Sequence, residues 1–241
     1  DFNKGIVIHW FTEVSCQQPP LGKRNKTKRL EWARKYMKTD FQNVLFTDEC
    51  RATLDGPDGW SSGWLLHGRQ PEVRIRRQQG GGGVMFWAGI KGHSIIGPFK
   101  VELGVKIDSE SYCKLQHQYL LPWMEEQPLS LWRTMIFQHD NAPARSSKYT
   151  SEWLRKAGFN NERVMVWPPN SPDLNPIENL WAIIKRRVYC NGRQFTNLND
   201  VWNAIKNVSA SITPTEISNL TTSVDQRRVK ILRNRGCHVH A

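Results

Sequence analysis

WPPNSPDLNPIENLWAIIKRRVY, Trp167 to Tyr189, is the stretch that decides how the rest of this 241-residue chain is read. Pro168, Pro169, Pro172 and Pro176 each fix φ and remove a backbone donor, so the approach is a rigid connection and not the interior of a strand or helix. Asn175 is a good N-cap, and Pro176 takes the first helical position, where a missing N–H costs nothing. Ile177, Leu180, Trp181, Ile184 and Val188 then recur at helical spacing and predict a buried stripe. Glu178 falls at the third helical position and has two readings. It can reach back to the N–H of the cap as half of a capping box, or it can be a metal ligand held at a fixed angle by the stiff prolines.

Two further acids follow apolar strands. FQNVLFTDEC, Phe41 to Cys50, reads as a strand in which Val44, Phe46 and Asp48 share one face and Leu45 and Thr47 the other, with Asp48 at its C-terminal end. TMIFQHD, Thr134 to Asp140, repeats the pattern: Ile136, Gln138 and Asp140 share a face, Phe137 and His139 take the opposite one, and Asn141-Ala142-Pro143 turns the chain. Asp140 is either an Asx-turn residue or a partner of the other two acids. Strand ends on one sheet edge and a nearby helix start can converge, although spacing alone does not bring them together. Converged carboxylates repel unless a cation joins them. Mg²⁺ takes oxygen ligands and is held by few carboxylates plus substrate phosphate. Two such ions about 4 Å apart suit phosphodiester cleavage and transfer.

The charge agrees with that chemistry. The chain carries 34 Lys and Arg against 22 Asp and Glu, a net +12, which implies a polyanionic partner, either nucleic acid or an acidic membrane face. A hydrophobic content of 39% predicts a folded core, yet no apolar run is long enough to span a bilayer. The five cysteines are scattered and include no C-x-x-C pair. They suggest neither a disulfide framework nor a structural zinc site, and a reduced compartment fits them.

Elsewhere the pattern is coarser. Residues 1–20 read as a linker, or as the remnant of a preceding DNA-binding region, and 21–241 as one domain. Lys23 to Met37 reads as a helix with Leu30, Ala33 and Met37 on its apolar stripe. Its Lys23–Arg29 cluster is either a solvated helix end or a phosphate-contacting or nuclear-import patch. Leu54 to Gln79 is broken by Gly and Pro and carries Arg74, Arg76 and Arg77, so it reads as hairpins and an extended loop. The glycines from Gly80 to Gly83 lack a following Gly-Lys-Ser/Thr and lead into the strand VMFWAGI, which makes them a strand entry and not a phosphate cradle. A strand follows at Ile95–Val101, a helix at Ser109–Trp123, another at Lys148–Ala157 and a short strand at Arg163–Trp167. A helix spans Asn199–Ser209, and Thr213 with Glu216 opens the last one. Beyond it come a basic tail and a disordered end bearing His238 and His240.

Phe46-Thr47-Asp48-Glu49, the GGGGVMFWAGI strand, Gln138-His139-Asp140-Asn141-Ala142-Pro143 and above all Ser171 to Trp181 resemble the mariner-like transposase superfamily, with the Sleeping Beauty-like branch nearest. The match runs in order from about Pro20 to the tail. It implies an RNase H-like α/β core, a central mixed sheet flanked by helices, with Leu54 to Gln79 as a clamp loop between two subunits of a homodimer. It implies a DDE triad of Asp48, Asp140 and Glu178 holding two Mg²⁺ ions, with Mn²⁺ as substitute. The activity implied is cut-and-paste transposition of double-stranded DNA: hydrolysis at transposon ends, then 3′-OH attack on a target TA, in the nucleus. Between Asp140 and Glu178 lie 37 residues (178 − 140 − 1), slightly more than is commonest in the superfamily. The paired helix-turn-helix units that read transposon ends would precede this region in a longer protein.

On this reading Asp48 bridges both ions, and Asp140 and Glu178 complete one site each. Lys185, seven residues beyond Glu178 on the same helix face, is either a phosphate contact or a solvated lysine. Arg186, Lys23, Arg24, Arg74, Arg76 and Arg77 are the other candidate DNA contacts. His139 is a packing residue, Asn141 orients the site or shapes the turn, and Asp173 is a turn former. The competing readings are a domesticated, non-catalytic DNA- or partner-binding derivative, and a nuclease acting on RNA–DNA hybrids.

Overall fold

A computed structural model describes residues 20–54, 56, 82–101, 108–160 and 162–239. The proposed linker at 1–19, nearly all of the clamp-like loop including Arg74, Arg76 and Arg77, and His240 lie outside the described residues.

Four strands form one mixed sheet in the order β3-β2-β1-β4. These are β1 (Val44–Thr53), β2 (Gly83–Lys91), β3 (Ser94–Val101) and β4 (Ile136–Gln138). The pairs β1–β2 and β2–β3 are antiparallel, and β1–β4 is parallel. Alternation along β1 feeds two cores, because successive side chains point to opposite faces. Val44, Phe46, Cys50 and Ala52 enter one, and Leu45 enters the other. The first core is roofed by α1 (Lys23–Lys35), α6 (Pro176–Val188), α7 (Leu198–Ala210) and α8 (Pro214–Arg233). The second is covered by α2 (Ser109–Leu115), α3 (Leu121–Glu125), α4 (Leu129–Thr134) and α5 (Lys148–Lys156). The expected stripe of α6, Ile177, Leu180, Trp181, Ile184 and Val188, is buried throughout and packs on the β1 face that carries Asp48.

Several expectations are corrected. Phe41–Asn43 is a 3-10 turn capped by the Asp40 side chain, so β1 starts at Val44; it then runs past Asp48 to Thr53, because β2 continues to pair with it. On α1, Ala33 is buried and Leu30 packs partly buried against the core as expected, joined by Arg29, Trp32 and Tyr36, while Met37 is exposed. The helix expected over Ser109–Trp123 is interrupted by a π turn at Gln116–Leu120. Pro122 explains it: it has no N–H for an i−4 bond, and its ring would press on the carbonyl of Gln118, so the backbone widens there. Arg163–Trp167 is only a bridge, Val164 beside Phe137, before the prolines end any ladder. The basic tail belongs to α8 as far as Arg233, and the described residues beyond it fold back as far as Val239, which is buried.

Candidate active site

Asp48 lies within β1 opposite Ala88 of β2. On its other side β4 pairs only with Val44–Phe46, so the parallel ladder stops before Asp48 and the sheet opens there. Asp140 stands two residues past β4, and its Oδ1 accepts a hydrogen bond from the Ala142 N–H at 2.9 Å, an Asx turn. The adjacent Asn141 Nδ2 donates to the Trp167 carbonyl at 2.8 Å. Trp167 in turn packs edge-on against Trp32 and Phe46, so the Asp140 loop is fastened to the proline approach of α6 and both to the core.

At the start of α6, Asn175 Oδ1 accepts from the Ile177 N–H at 3.2 Å, and Pro176 follows as expected. The capping-box reading of Glu178 fails. No bond joins its carboxylate to the cap N–H among the described residues, whereas Thr213 and Glu216 make both halves of such a box on α8. Asp48, Asp140 and Glu178 instead line one cleft of about 510 Å³, whose wall includes Asn141 and the Trp167–Pro172 segment.

The foot of α6 is tied down by two buried arginines that sequence reasoning missed. Arg29 reaches Asp173 with two bonds, at 2.8 and 2.6 Å, and also donates to Ser171 Oγ at 2.7 Å and the Gly236 carbonyl at 3.0 Å. Asp173 accepts a further bond from the Val239 N–H at 2.8 Å, so it anchors the tail at Val239 and is not a turn former alone. Arg227 donates to the Asp173 carbonyl at 3.0 Å and to Asn179 Oδ1 at 2.9 Å. Gly236 is required where the tail crosses α1: at φ +83°, a Cβ there would sit 2.4 Å from the Lys26 carbonyl.

The cleft is short of positive charge. Burial pushes the Asp48 carboxyl up to about 6, against the pull of Arg145, and the Asp140 charge adds to the rise. Glu178 keeps solvent contact but is set in the concave wall. Burial there and the charge of Asp48 lift it to about 7, opposed by Lys185. Trp181, whose indole N–H is buried without a hydrogen bond of standard geometry, lies close enough to Asp48 to lower it slightly. His139 faces the other way, as alternation requires. It packs on Phe137, its Nδ1 is 3.2 Å from the Tyr112 hydroxyl, and burial lowers it to about 4.

Arg145 is the residue at the cleft that the sequence did not single out. Its side chain is 9% exposed, and its guanidinium pairs with Asp140 at 2.6 Å, Asp48 at 3.5 Å and Glu49. Nothing in NAPARSS separates it from the many surface arginines; only its place two residues after Pro143, close to Asp140, could have drawn attention.

The donor set suits a hard divalent ion, being all carboxylate oxygen with charges that repel one another. Glu49 Oε1 is in addition buried without a partner. No three such side chains among the described residues stand gathered as a ready-made cage, since the Arg145 fork lies between two of the acids. Of the expected DNA contacts, Lys185 is half-buried beside Cys50 and Glu178, where its charge acts on both. Arg186, Lys23 and Arg24 are exposed, and none of the three lines the cleft.

The comparisons agree with this geometry. A family model described as DDE superfamily endonuclease matches residues 43–201. The chain is 33% identical to the transposable element Tc3 transposase of Caenorhabditis elegans over 221 residues, 90% of this chain and 64% of that protein. It is 32% identical to the Tcb2 transposase of Caenorhabditis briggsae over 201 residues, 79% of this chain and 71% of that one. Among solved structures it resembles a pre-cleavage Mos1 transpososome, with TM-score 0.80 and 16% identity, covering 97% of this chain and 69% of that chain. The catalytic domain of Mos1 mariner transposase matches with TM-score 0.71 and 16% identity, over 91% of this chain and 98% of that chain. Identity so low shows the fold alone, and that fold is the RNase H-like one. The chain thus spans 64% of the length of the Tc3 transposase, and the matches single out no branch of the superfamily. With more than half of its residues matched by the family model, the chain belongs to the DDE superfamily endonuclease family.

Proposed function

We propose that this chain is the catalytic region of a cut-and-paste DNA transposase, which hydrolyses phosphodiester bonds at transposon ends and joins the freed 3′-OH to target DNA at a TA step. The observation that carries the reading is the single cleft lined by Asp48, Asp140 and Glu178, acids far apart in sequence, in a chain of this family. These three would hold two Mg²⁺ ions, with Mn²⁺ substituting. When bound, such ions lower the pKa of an attacking water or hydroxyl and stabilise the leaving oxygen. The names of solved relatives point the same way, since Mos1 structures include complexes with Mg, with Mn and with a transposon end.

The protein's own residues do the holding. The core-anchored Trp167 and the Asn141 bond fix the Asp140 loop against α6, and the Arg29–Asp173 pair fixes the start of α6, so Glu178 meets the other acids at a set angle. Lys185, close to Glu178 and half-buried, contacts a DNA phosphate beside the scissile bond, while Arg186, Lys23 and Arg24 hold duplex further out. Assembly on DNA is as a homodimer, and the compartment is the nucleus, where chromosomal DNA lies.

The test is nicking of duplex DNA bearing the element's terminal sequence, by the full-length protein with Mg²⁺. Asp140→Asn and Glu178→Gln should each abolish it. Cleavage by either variant at the wild-type rate refutes the triad. DNA binding without any cleavage by the wild type would favour the domesticated binding derivative.

A further inference from the structure

The Arg145 fork is buried and has three acidic partners, which is more than a surface ion pair needs. Its Nη1 reaches Asp140 Oδ1 at 2.6 Å and Asp48 Oδ1 at 3.5 Å, its Nη2 pairs with Glu49 Oε2, and its Cζ lies 5.6 Å from the centre of the Tyr112 ring. Asp48 and Asp140 are two of the three acids assigned above to the ions, whereas Glu49 is not. The Glu49 side chain is 8% exposed, and its second oxygen, Oε1, is buried with no hydrogen-bond partner. A buried carboxylate oxygen without a donor is costly, and a guanidinium can serve both oxygens of a carboxylate at once. Glu49 thus already holds one branch of the Arg145 fork and has a second oxygen free to take the other.

We infer that Arg145 is a built-in counter-ion that fills the cation's place between Asp48 and Asp140 in the metal-free chain, and that loading of the site requires it to shift its hold onto Glu49. This rests on the reading of Asp48, Asp140 and Glu178 as metal ligands. In the metal-free chain the arginine keeps two acids from repelling each other. Once a divalent ion supplies that charge, the arginine becomes a competitor. Glu49 is then the positioning residue that draws it off, and the two cations bind in a mutually exclusive way.

The experiment is calorimetric titration of the full-length protein with MnCl₂, comparing wild type with Arg145→Gln, Glu49→Gln and the double variant. Arg145→Gln should bind Mn²⁺ about tenfold more tightly, within the usual range of coupling between linked sites. Glu49→Gln should bind it several-fold more weakly, because the arginine has lost the Glu49 carboxylate. In the double variant the Glu49 change should have no further effect. An Arg145→Gln protein that binds Mn²⁺ no more tightly than wild type overturns the inference and leaves the triad untouched. Absence of Mn²⁺ binding in every variant overturns the ligand reading beneath it. If Arg145→Gln does not fold, Arg145→Lys keeps the charge but loses the fork. Its Mn²⁺ affinity should still rise, and an affinity equal to that of wild type counts against the proposal.

Discussion

Replacing Asp48 with Asn is expected to make the metal-free protein more stable while ending its chemistry. The carboxyl is pushed from 3.8 to about 6, chiefly by burial. Below pH 3.8 both folded and unfolded chains hold the proton, so the substitution changes little. Between pH 3.8 and 6 the folded chain keeps a proton that the unfolded chain releases, so wild-type stability falls as pH rises; above 6 the penalty is constant. A displacement of this size corresponds to about 3 kcal/mol at 1.36 kcal/mol per tenfold. The side chain keeps 19% of its exposure, and solvent screening brings the net gain nearer to about 2 kcal/mol. For a chain of this length that raises the melting temperature by roughly 4–8 °C. The assay is thermal unfolding in EDTA across pH 4 to 8, wild type against Asp48→Asn, followed by far-UV circular dichroism. The gap should open from near zero at pH 4 to its full size above pH 6. Saturating Mn²⁺ should close it by stabilising only the wild type. An Asn variant that melts no higher than wild type at pH 8, or a gap that ignores pH, refutes the reasoning.

His139 should act in the opposite sense. Its folded value of about 4 lies below the ordinary 6.5, so wild type loses stability as pH falls from 6.5 to 4, by about 2–3 kcal/mol. A melt series on His139→Gln should be flatter across that window. Arg29→Met leaves Asp173 buried without its guanidinium partner, with the Val239 N–H as remaining donor, and should cost about 3 kcal/mol; the double change with Asp173→Asn should recover part of it in urea unfolding, and additive losses would show that the pair is not coupled. Lys185→Ala should weaken DNA binding alike for all sequences and reduce the salt slope by about 1; an unchanged slope removes the phosphate contact.

The central helix was legible because each local signal agreed: prolines before it, Asn175 at the cap, and a stripe whose burial followed the 3.6-residue period. The alternation that put Asp48 with Val44 and Phe46, and His139 away from Asp140, also held, because pleating leaves a strand no other choice. The ends of β1 were not legible. Nothing inside Phe41–Thr53 reveals that β2 continues the ladder to Thr53 while β4 stops at Gln138, and that difference is what exposes Asp48 within a strand and not at its end. Charged residues misled in the same way. Arg29, Arg145 and Arg227 look like surface cations, and only the folded chain brings Asp173, Asp48 and the Asn175 region to them. On α1 the expected stripe was right at Leu30 and Ala33, but it left out Arg29, Trp32 and Tyr36 and wrongly took in Met37. Whether Glu178 capped its helix or faced the cleft could not be decided locally, since the competing bond is its own backbone neighbour.

The account depends on divalent ions gathering Asp48, Asp140 and Glu178. Its most direct test is anomalous diffraction at the manganese edge from crystals of the full-length protein on transposon-end DNA grown with Mn²⁺. Manganese peaks bounded by oxygens of all three side chains, with Arg145 turned onto Glu49, are the expected result. Manganese absent from this cleft, or bound there without Glu178, would contradict it.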